Sequence, residues 1–467
     1  MPLGNLHLLR LFSMQSLDEN SKSSIDFNLA SIYASTEQTC SVYTPILSKL
    51  LEKHICGLLA GQLQSSEPIN ESQFGFQQGK STTTALLETT HNWLNLLESG
   101  RDVGAVFFDF KKAFDSVPHR ALVDKLKHIN LNPVLLRWIL SYLSGRRQQV
   151  VVNGETSDQL PVLSGVPQGS VIGPLLFLIY IDGIKTLPLS DESHLTLYAD
   201  DMLLYRPITS SMDYALLQQD INGISDWVGR NYLQFNVEKC KFMHITRKSN
   251  FVQPDVIPNL CGKPLERVTT YKYLGLLLSS DLSWSQHINN ICTKARKLLG
   301  LLYRRFYQFS TPESLFQMYI SIVRPNLEYA SQVCNPYKIG KVNVIERVQK
   351  FALRMCTKSW DSSYQELLHL FSQPDLQQRR LYLDLCTMFR VINGLFHFPD
   401  DIFVPQTSNI YTRSSNSQTY TCPFAHTCSY FNSFVPRTIR AWNSLPLSVT
   451  STNSLASFKL GLRAHLY

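Results

Sequence analysis

LTLYADDMLLY, residues 195–205, places two adjacent carboxylates, Asp200 and Asp201, between two apolar runs. Leu195 and Leu197 on one side and Met202 to Tyr205 on the other read as two short strands, with the acids at the tip of the hairpin. Adjacent carboxylates repel each other and lose hydration when pressed against a core, so a site that keeps them calls for a cation. Mg²⁺ takes oxygen ligands and is commonly held by one or two carboxylates plus substrate phosphates. The dipeptide alone reads equally as a solvated turn, because Asp is common in turns.

A second acidic strand upstream changes that balance. In DVGAVFFDFKKAFDSVPH (102–119), Val103 to Phe108 form a β-branched and aromatic run that suits a buried strand ending at Asp109. Sites on sheets form at the carboxyl ends of strands. Asp109 beside Asp200 and Asp201 makes a triad able to hold two Mg²⁺ ions. Two ions about 4 Å apart can activate a hydroxyl and stabilise the leaving oxygen in phosphoryl transfer. Phe114 sets a bulky ring close to the same site, and Asp115 reads as a brace for the turn.

FFDFKKAFDSVPH, SGVPQGSVIGPLLF, YADD and LQFNVEKCK, in that order, resemble the core motifs of a reverse transcriptase of the non-LTR (LINE-type) retrotransposon group. The resemblance runs from about residue 45 to about 310 and implies an α+β, right-hand polymerase. Its palm would be an antiparallel sheet with packed helices and partial fingers, followed by a mostly helical thumb and C-terminal region. The implied division is 1–40 as a poorly structured extension, 41–284 as fingers and palm, 285–400 as thumb and connection, and 401–467 as a loop-rich tail.

The resemblance also implies roles. Asp109, Asp200 and Asp201 would hold Mg²⁺, with Mn²⁺ a possible substitute. Lys239, paired with Asn236 in the family's Asn…Lys motif, would protonate the leaving pyrophosphate. Phe110 and Phe114 would contact the incoming nucleotide, with Phe114 blocking a 2′-hydroxyl. Gln168 and Gly169 would lie against the template and nascent base pair. Partners would be an RNA template, a DNA primer or target, and dNTPs.

The fingers depart from the family's pattern. CSVYTP (40–45) stands where a Tyr-Arg-Pro motif is usual, and Gln77 replaces an arginine, leaving Lys80 as the triphosphate contact. An arginine fork binds phosphate through two parallel hydrogen bonds that neither Tyr43 nor Gln77 can reproduce. The chain accordingly reads as a truncated copy, with too little sequence before residue 45 for an endonuclease. Rival readings are a group II intron maturase, a viral RNA-directed RNA polymerase (disfavoured by Phe114 and Ala199), and a remnant that only binds nucleic acid.

Elsewhere the patterns are ordinary. Helical spacing runs through 45–64, 82–99, 119–130, 133–143 and 211–232; 148–162 reads as a hairpin, 233–245 as a strand, and 271–284 as a hairpin turning at Leu274–Gly275. Residues 285–310 carry Lys294, Arg296, Lys297, Arg304 and Arg305 with no acid between Asp281 and Glu313, and interleave Tyr303, Phe306 and Tyr307. Such a face suits phosphate contact and base stacking. The net charge of +8 has the right sign for a polyanion but decides nothing alone. Cys422, His426 and Cys428 lack zinc-ligand spacing. No signal peptide or membrane-length apolar run is present, so the expected location is intracellular, nuclear or cytoplasmic, with no membrane partner.

Overall fold

The computed structural model describes residues 29–34, 40–43, 46–66, 68–152, 155–248, 257–399, 402–406 and 419–467. Residues 1–28, Pro45 and the Asn153–Gly154 turn lie outside them. The architecture is α+β, as expected, and the chain divides into two compact units. One comprises 1–70, 111–186 and 229–234; the other comprises 71–110, 187–228 and 235–467.

The second unit is built on a five-stranded sheet in the order 266–267, 241–245, 102–108, 201–208, 194–198. Asp102–Phe108 is the central strand and is buried throughout, which its Val, Ala and Phe residues permit. It pairs antiparallel on both sides, Phe107 facing Leu203 and Lys241. The period-2 alternation sends Val103, Ala105, Phe107, Leu203, Tyr205, Met243 and Ile245 to one face. Helix Thr82–Glu98 covers that face with Leu86, Leu87 and Trp93, and the hairpin Thr270–Tyr273/Leu276–Ser279 joins the same core. Ser81 caps the helix with its hydroxyl, and the hairpin turns at Leu274 (φ 43°) and Gly275 (φ 85°), where the sequence placed it.

Two expectations change here. Residues 233–240 are not a continuous strand: Phe235 makes an isolated antiparallel bridge with Phe110, and the ladder resumes only at Lys241–Ile245, because the Asn236 carbonyl accepts from the amides of Lys239 and Cys240 and closes a turn. The loop-rich reading of 401–467 does not describe 428–466, which carry four helices. Trp442 and Phe458 of that segment stack at 5.5 Å inside the sheet's own core. The segment's polar residues disguised a helical pattern in which every third or fourth side chain, Val435, Ile439 and Trp442, is buried. A separate core of the same unit joins helices Ser285–Phe306, Pro312–Met318, Ile339–Thr357 and Tyr364–Leu370.

The first unit carries helices Ile46–Ser66, His119–His128, Pro133–Leu143 and Gly173–Ile181. Its sheet pairs Leu29–Ala34 with Cys40–Tyr43 antiparallel and with Arg147–Val152 in parallel. The expected hairpin is present, Val152 facing Glu155 and Gln148 facing Leu160. Among the described residues, no helix is long and apolar enough to cross a membrane.

Candidate active site

The central strand delivers Asp109 to its carboxyl end. The Asp109 carbonyl accepts from the Asn236 amide at 2.7 Å, and its own amide donates to Cys240 Sγ at 3.3 Å, so both neighbours of the backbone are fixed. The neighbouring hairpin pairs Tyr198 with Asp201 and turns through Ala199 and Asp200. Phe108 faces Met202, so the same register continued by one residue sets Asp109 opposite Asp201.

The three acids feel one another. Burial and then the charges of Asp200 and Asp109 push the Asp201 carboxyl up to about 6. Burial raises the Asp200 carboxyl too, with Asp109 adding to it and a backbone hydrogen bond opposing. The one cation paired with these acids among the described residues is Lys239, whose Nζ stands 4.0 Å from Asp109 Oδ2 on a largely exposed side chain. Tyr271 of the adjoining hairpin stacks on Phe107 at 4.1 Å and has its phenol pushed up to about 12 by burial, then by Asp201 and Asp109. The three acids expected to form a metal triad are thus coupled through their charges. They do not form a closed coordination shell: among the described residues no three His, Cys, Asp or Glu side chains stand close enough together to hold a metal ion. Unneutralised carboxylates keep apart. The donor set, all carboxylate oxygen, fits a hard divalent cation.

A loop clamps the acidic turn. Gln73 is buried, and its Oε1 accepts from the amides of Gly75 and Ala199, both at 2.8 Å. Its Nε2 donates to the Ala199 carbonyl at 3.4 Å. Ala199 needs such support because it sits at φ 56°, a left-handed conformation unfavourable for an L-residue.

The other expected substrate residues are distributed. Phe114, in the 3₁₀ turn Ala113–Ser116, is half-buried and stacks on Phe177 at 4.4 Å. Gln168 is exposed and donates to Asp115 Oδ1 at 2.9 Å, which gives Asp115 the bracing role expected of it. Exposed Gly169 (φ 78°) follows. The FDSVPH and SGVPQG motifs are laced together: Val166 donates to the Phe114 carbonyl at 2.8 Å and Gly165 to the Val117 carbonyl at 2.7 Å. Gly165 is required, since a Cβ there would meet Asp115 Cα at 2.8 Å. Phe110 is a correction. It is buried and stacked on Phe235 at 5.0 Å, a core ring that presents no face to a nucleotide. Lys80 is also engaged: its ammonium donates to the carbonyls of Glu71 and, at 3.1 Å, Gln73. Reaching a phosphate requires those bonds to break.

The reverse transcriptase (RNA-dependent DNA polymerase) family profile matches residues 37–278, a little over half of the chain. The chain belongs to the reverse transcriptase family. Among curated relatives, it is 30% identical over 341 residues to a probable RNA-directed DNA polymerase from transposon BS of Drosophila melanogaster, covering 69% of this chain and 37% of the relative. It is 28% identical over 321 residues to that of transposon X-element of the same species, covering 67% and 35%. It is 29% identical over 320 residues to the RNA-directed DNA polymerase from mobile element jockey of Drosophila funebris, covering 66% and 34%. The chain therefore spans about a third of the length of these relatives, which agree with the LINE-type resemblance of its motifs. Among solved structures, apo telomerase from Candida tropicalis aligns over 79% of this chain and 67% of that chain, with TM-score 0.43 and 12% identity.

On this reverse transcriptase the basic helix Ser285–Phe306 buries Ile288, Cys292, Ala295, Leu299 and Leu302. Lys294, Arg296, Lys297, Arg304 and Arg305 are all exposed. At 100° per residue, Lys297 and Arg304 fall opposite the buried stripe, with Lys294 and Arg305 beside them. Sequence reasoning missed two residues. Gln73 gave no signal, being one uncharged side chain in a Gly-punctuated loop. Glu52 left one: a carboxylate at helical spacing with Ile55 and Leu59. It is buried and accepts from the Val171 amide at 2.6 Å and the Ser48 hydroxyl at 3.0 Å, bracing the segment that enters helix Gly173–Ile181.

Proposed function

We propose that this reverse transcriptase is an RNA-directed DNA polymerase of a LINE-type retrotransposon. It would join dNTPs to a primer 3′-hydroxyl on an RNA template. The observation that carries the reading is the strand register, which sets the end of the Asp109 strand beside the turn that bears Asp200 and Asp201. Reverse transcriptases generally use divalent metal ions. Asp109 and Asp200 would hold two Mg²⁺ (or Mn²⁺) with Asp201 assisting, and the ions when bound supply charge neutralisation at the transferred phosphate.

The chain's own groups do the rest. Lys239, whose exposed ammonium stands 4.0 Å from Asp109 Oδ2, would give a proton to the departing pyrophosphate. Phe114 would stand against the 2′ position of the sugar, and Gln168 and Gly169 against the base pair. Lys294, Arg296, Lys297, Arg304 and Arg305 hold the phosphates of the duplex. In this reading 41–284 serves as fingers and palm, 285–400 as thumb and connection, and the protein works inside the cell.

One observation favours a second reading, a nucleic-acid-binding remnant. Lys80 is held by backbone carbonyls, and Gln77, in place of an arginine, donates to the Gln73 carbonyl at 3.0 Å, so neither is turned to a triphosphate. Primer extension on an RNA template with Mg²⁺ separates the two. Extension abolished by Asp200→Asn supports the polymerase; template binding with no extension by the unaltered chain supports the remnant.

A further inference from the structure

We infer that Gln73 is a positioning residue of the acidic turn, holding Ala199 so that Asp200 and Asp201 present their carboxylates toward the strand end at Asp109. The inference rests on the polymerase reading and adds to it a residue outside its acidic motifs. Gln73 meets the turn at both ends of its amide. The oxygen takes the amides of Gly75 and Ala199, and the nitrogen gives to the Ala199 carbonyl. Its backbone is pinned as well, because its carbonyl accepts from Lys80 Nζ and Gln77 Nε2.

The chain around it pairs with the turn's incoming strand. Phe74 donates to the Leu197 carbonyl at 2.7 Å, and Leu197 to the Ser72 carbonyl at 2.9 Å. Gly75 lets the loop close, since a Cβ there would lie 2.4 Å from the Ala199 nitrogen. A buried side chain that satisfies both backbone groups of the strained residue Ala199 and one amide of its own loop fixes the turn against that loop, and losing it leaves two buried N–H groups without an acceptor. Only a side chain of glutamine's length with an acceptor at its end makes these contacts. Met fills the same volume with no acceptor, while Glu, protonated by burial beside the acids, keeps the acceptor and sets an O–H toward the Ala199 carbonyl in place of Nε2.

Three variants test this in the full chain: Gln73→Met, Gln73→Glu and Gly75→Ala. Primer extension with varied dNTP and Mg²⁺ should show kcat falling tenfold or more in Gln73→Met and Gly75→Ala. KM for dNTP should stay within twofold, and the Mg²⁺ needed for half-maximal rate should rise. Gln73→Glu should retain more activity than Gln73→Met. Amide hydrogen exchange at 197–201 should accelerate in Met and Ala variants while exchange in strand Asp102–Phe108 stays slow. A packing role reverses the order, with Met at or above Glu, and overturns the inference, as does unchanged exchange at 197–201. If the unaltered chain extends no primer, the polymerase reading fails, and hydrogen exchange alone still decides whether Gln73 holds the turn.

Discussion

Removing one negative charge from the acidic cluster should stabilise the fold while ending its chemistry, and Asp201→Asn tests both. The Asp201 carboxyl rises from its ordinary 3.8 to about 6 because the fold disfavours its ionised form. At about 1.4 kcal/mol per pH unit, that rise is worth about 3 kcal/mol at full strength. The residue is only partly withdrawn from water, so screening reduces the figure, and ~1 kcal/mol is the expected scale. The sign follows from the direction. A carboxyl raised in the fold contributes stability that is present below about pH 4 and is lost as pH rises through 6. Without divalent ions, Asp201→Asn should therefore be more stable than the unaltered chain at pH 8, and the difference should shrink toward pH 5. Mg²⁺ at ten times its dissociation constant should return about 1.4 kcal/mol to the unaltered chain and less to the variant. With two compact units, global unfolding need not be two-state, so hydrogen exchange of strands Asp102–Phe108 and Asp201–Ile208 is the suitable assay. A variant less stable at pH 8, or a difference equal at both pH values, refutes the argument from desolvation and repulsion.

Phe114→Val should admit ribonucleotides, raising the ribo-to-deoxyribonucleotide ratio of kcat/KM by at least about tenfold, the scale of one apolar misfit; an unchanged ratio removes Phe114 from sugar selection. Lys297→Glu with Arg304→Glu should weaken duplex binding and lower the slope of log K against log salt by roughly two, one contact each. An unchanged slope means that this face does not meet phosphates. His287 is 2% exposed, accepts from the Leu277 amide at 3.2 Å, and is pushed down to about 4 by burial and then by Arg380. Its neutral form contributes stability present above its ordinary 6.5 and lost as pH falls through 4, about 3 kcal/mol in all. His287→Gln should flatten that acid limb in denaturation curves; an unaltered limb places the acid sensitivity elsewhere.

The strands bearing the acids were legible because burial on both faces demands continuous apolar runs, and such runs end visibly at Asp109 and start visibly after Asp201. The hairpin at Leu274–Gly275 was legible from the family resemblance, and the helix Thr82–Glu98 from its apolar spacing. Helix Ile46–Ser66 shows where periodicity misleads. Its apolar first turn, Ile46, Leu47 and Leu50, is exposed at 79%, 60% and 61%, while Ser48, Glu52, Ile55 and Leu59 form the buried stripe. A hydrogen-bonded carboxylate outcompeted leucine for the inside, because the amides of Val171 and Ile172 needed an acceptor. Phe110 failed for another reason: the resemblance implied a nucleotide contact, but side chains alternate along an extended chain, and Phe235 takes its ring. The Gln73 clamp joins positions 126 residues apart and leaves no local trace.

Family motifs and folded unit do not coincide in this chain, and the reason is energetic. The family match ends at residue 278, yet the sheet face formed by Ala105, Phe107, Leu203 and Tyr205 belongs to a core that reaches Leu462. Phe389, Trp442 and Phe458 fill it, and polar ties cross the same distance. Glu98, at the end of the helix backing the sheet, accepts the Thr427 hydroxyl at 2.6 Å, and fully buried Asp384 accepts from Arg437 at 2.9 Å. Arg437 also donates to the Gln332 carbonyl at 2.9 Å, so one guanidinium binds three segments of the unit. A buried carboxylate deprived of its partner costs about 3–5 kcal/mol, a large share of a domain's net stability. The acids that define the site are thus carried on a sheet whose stability depends on residues well past any recognisable motif. Those residues stabilise the sheet that carries Asp109 and Asp201 at the ends of neighbouring strands, with Asp200 in the turn before Asp201.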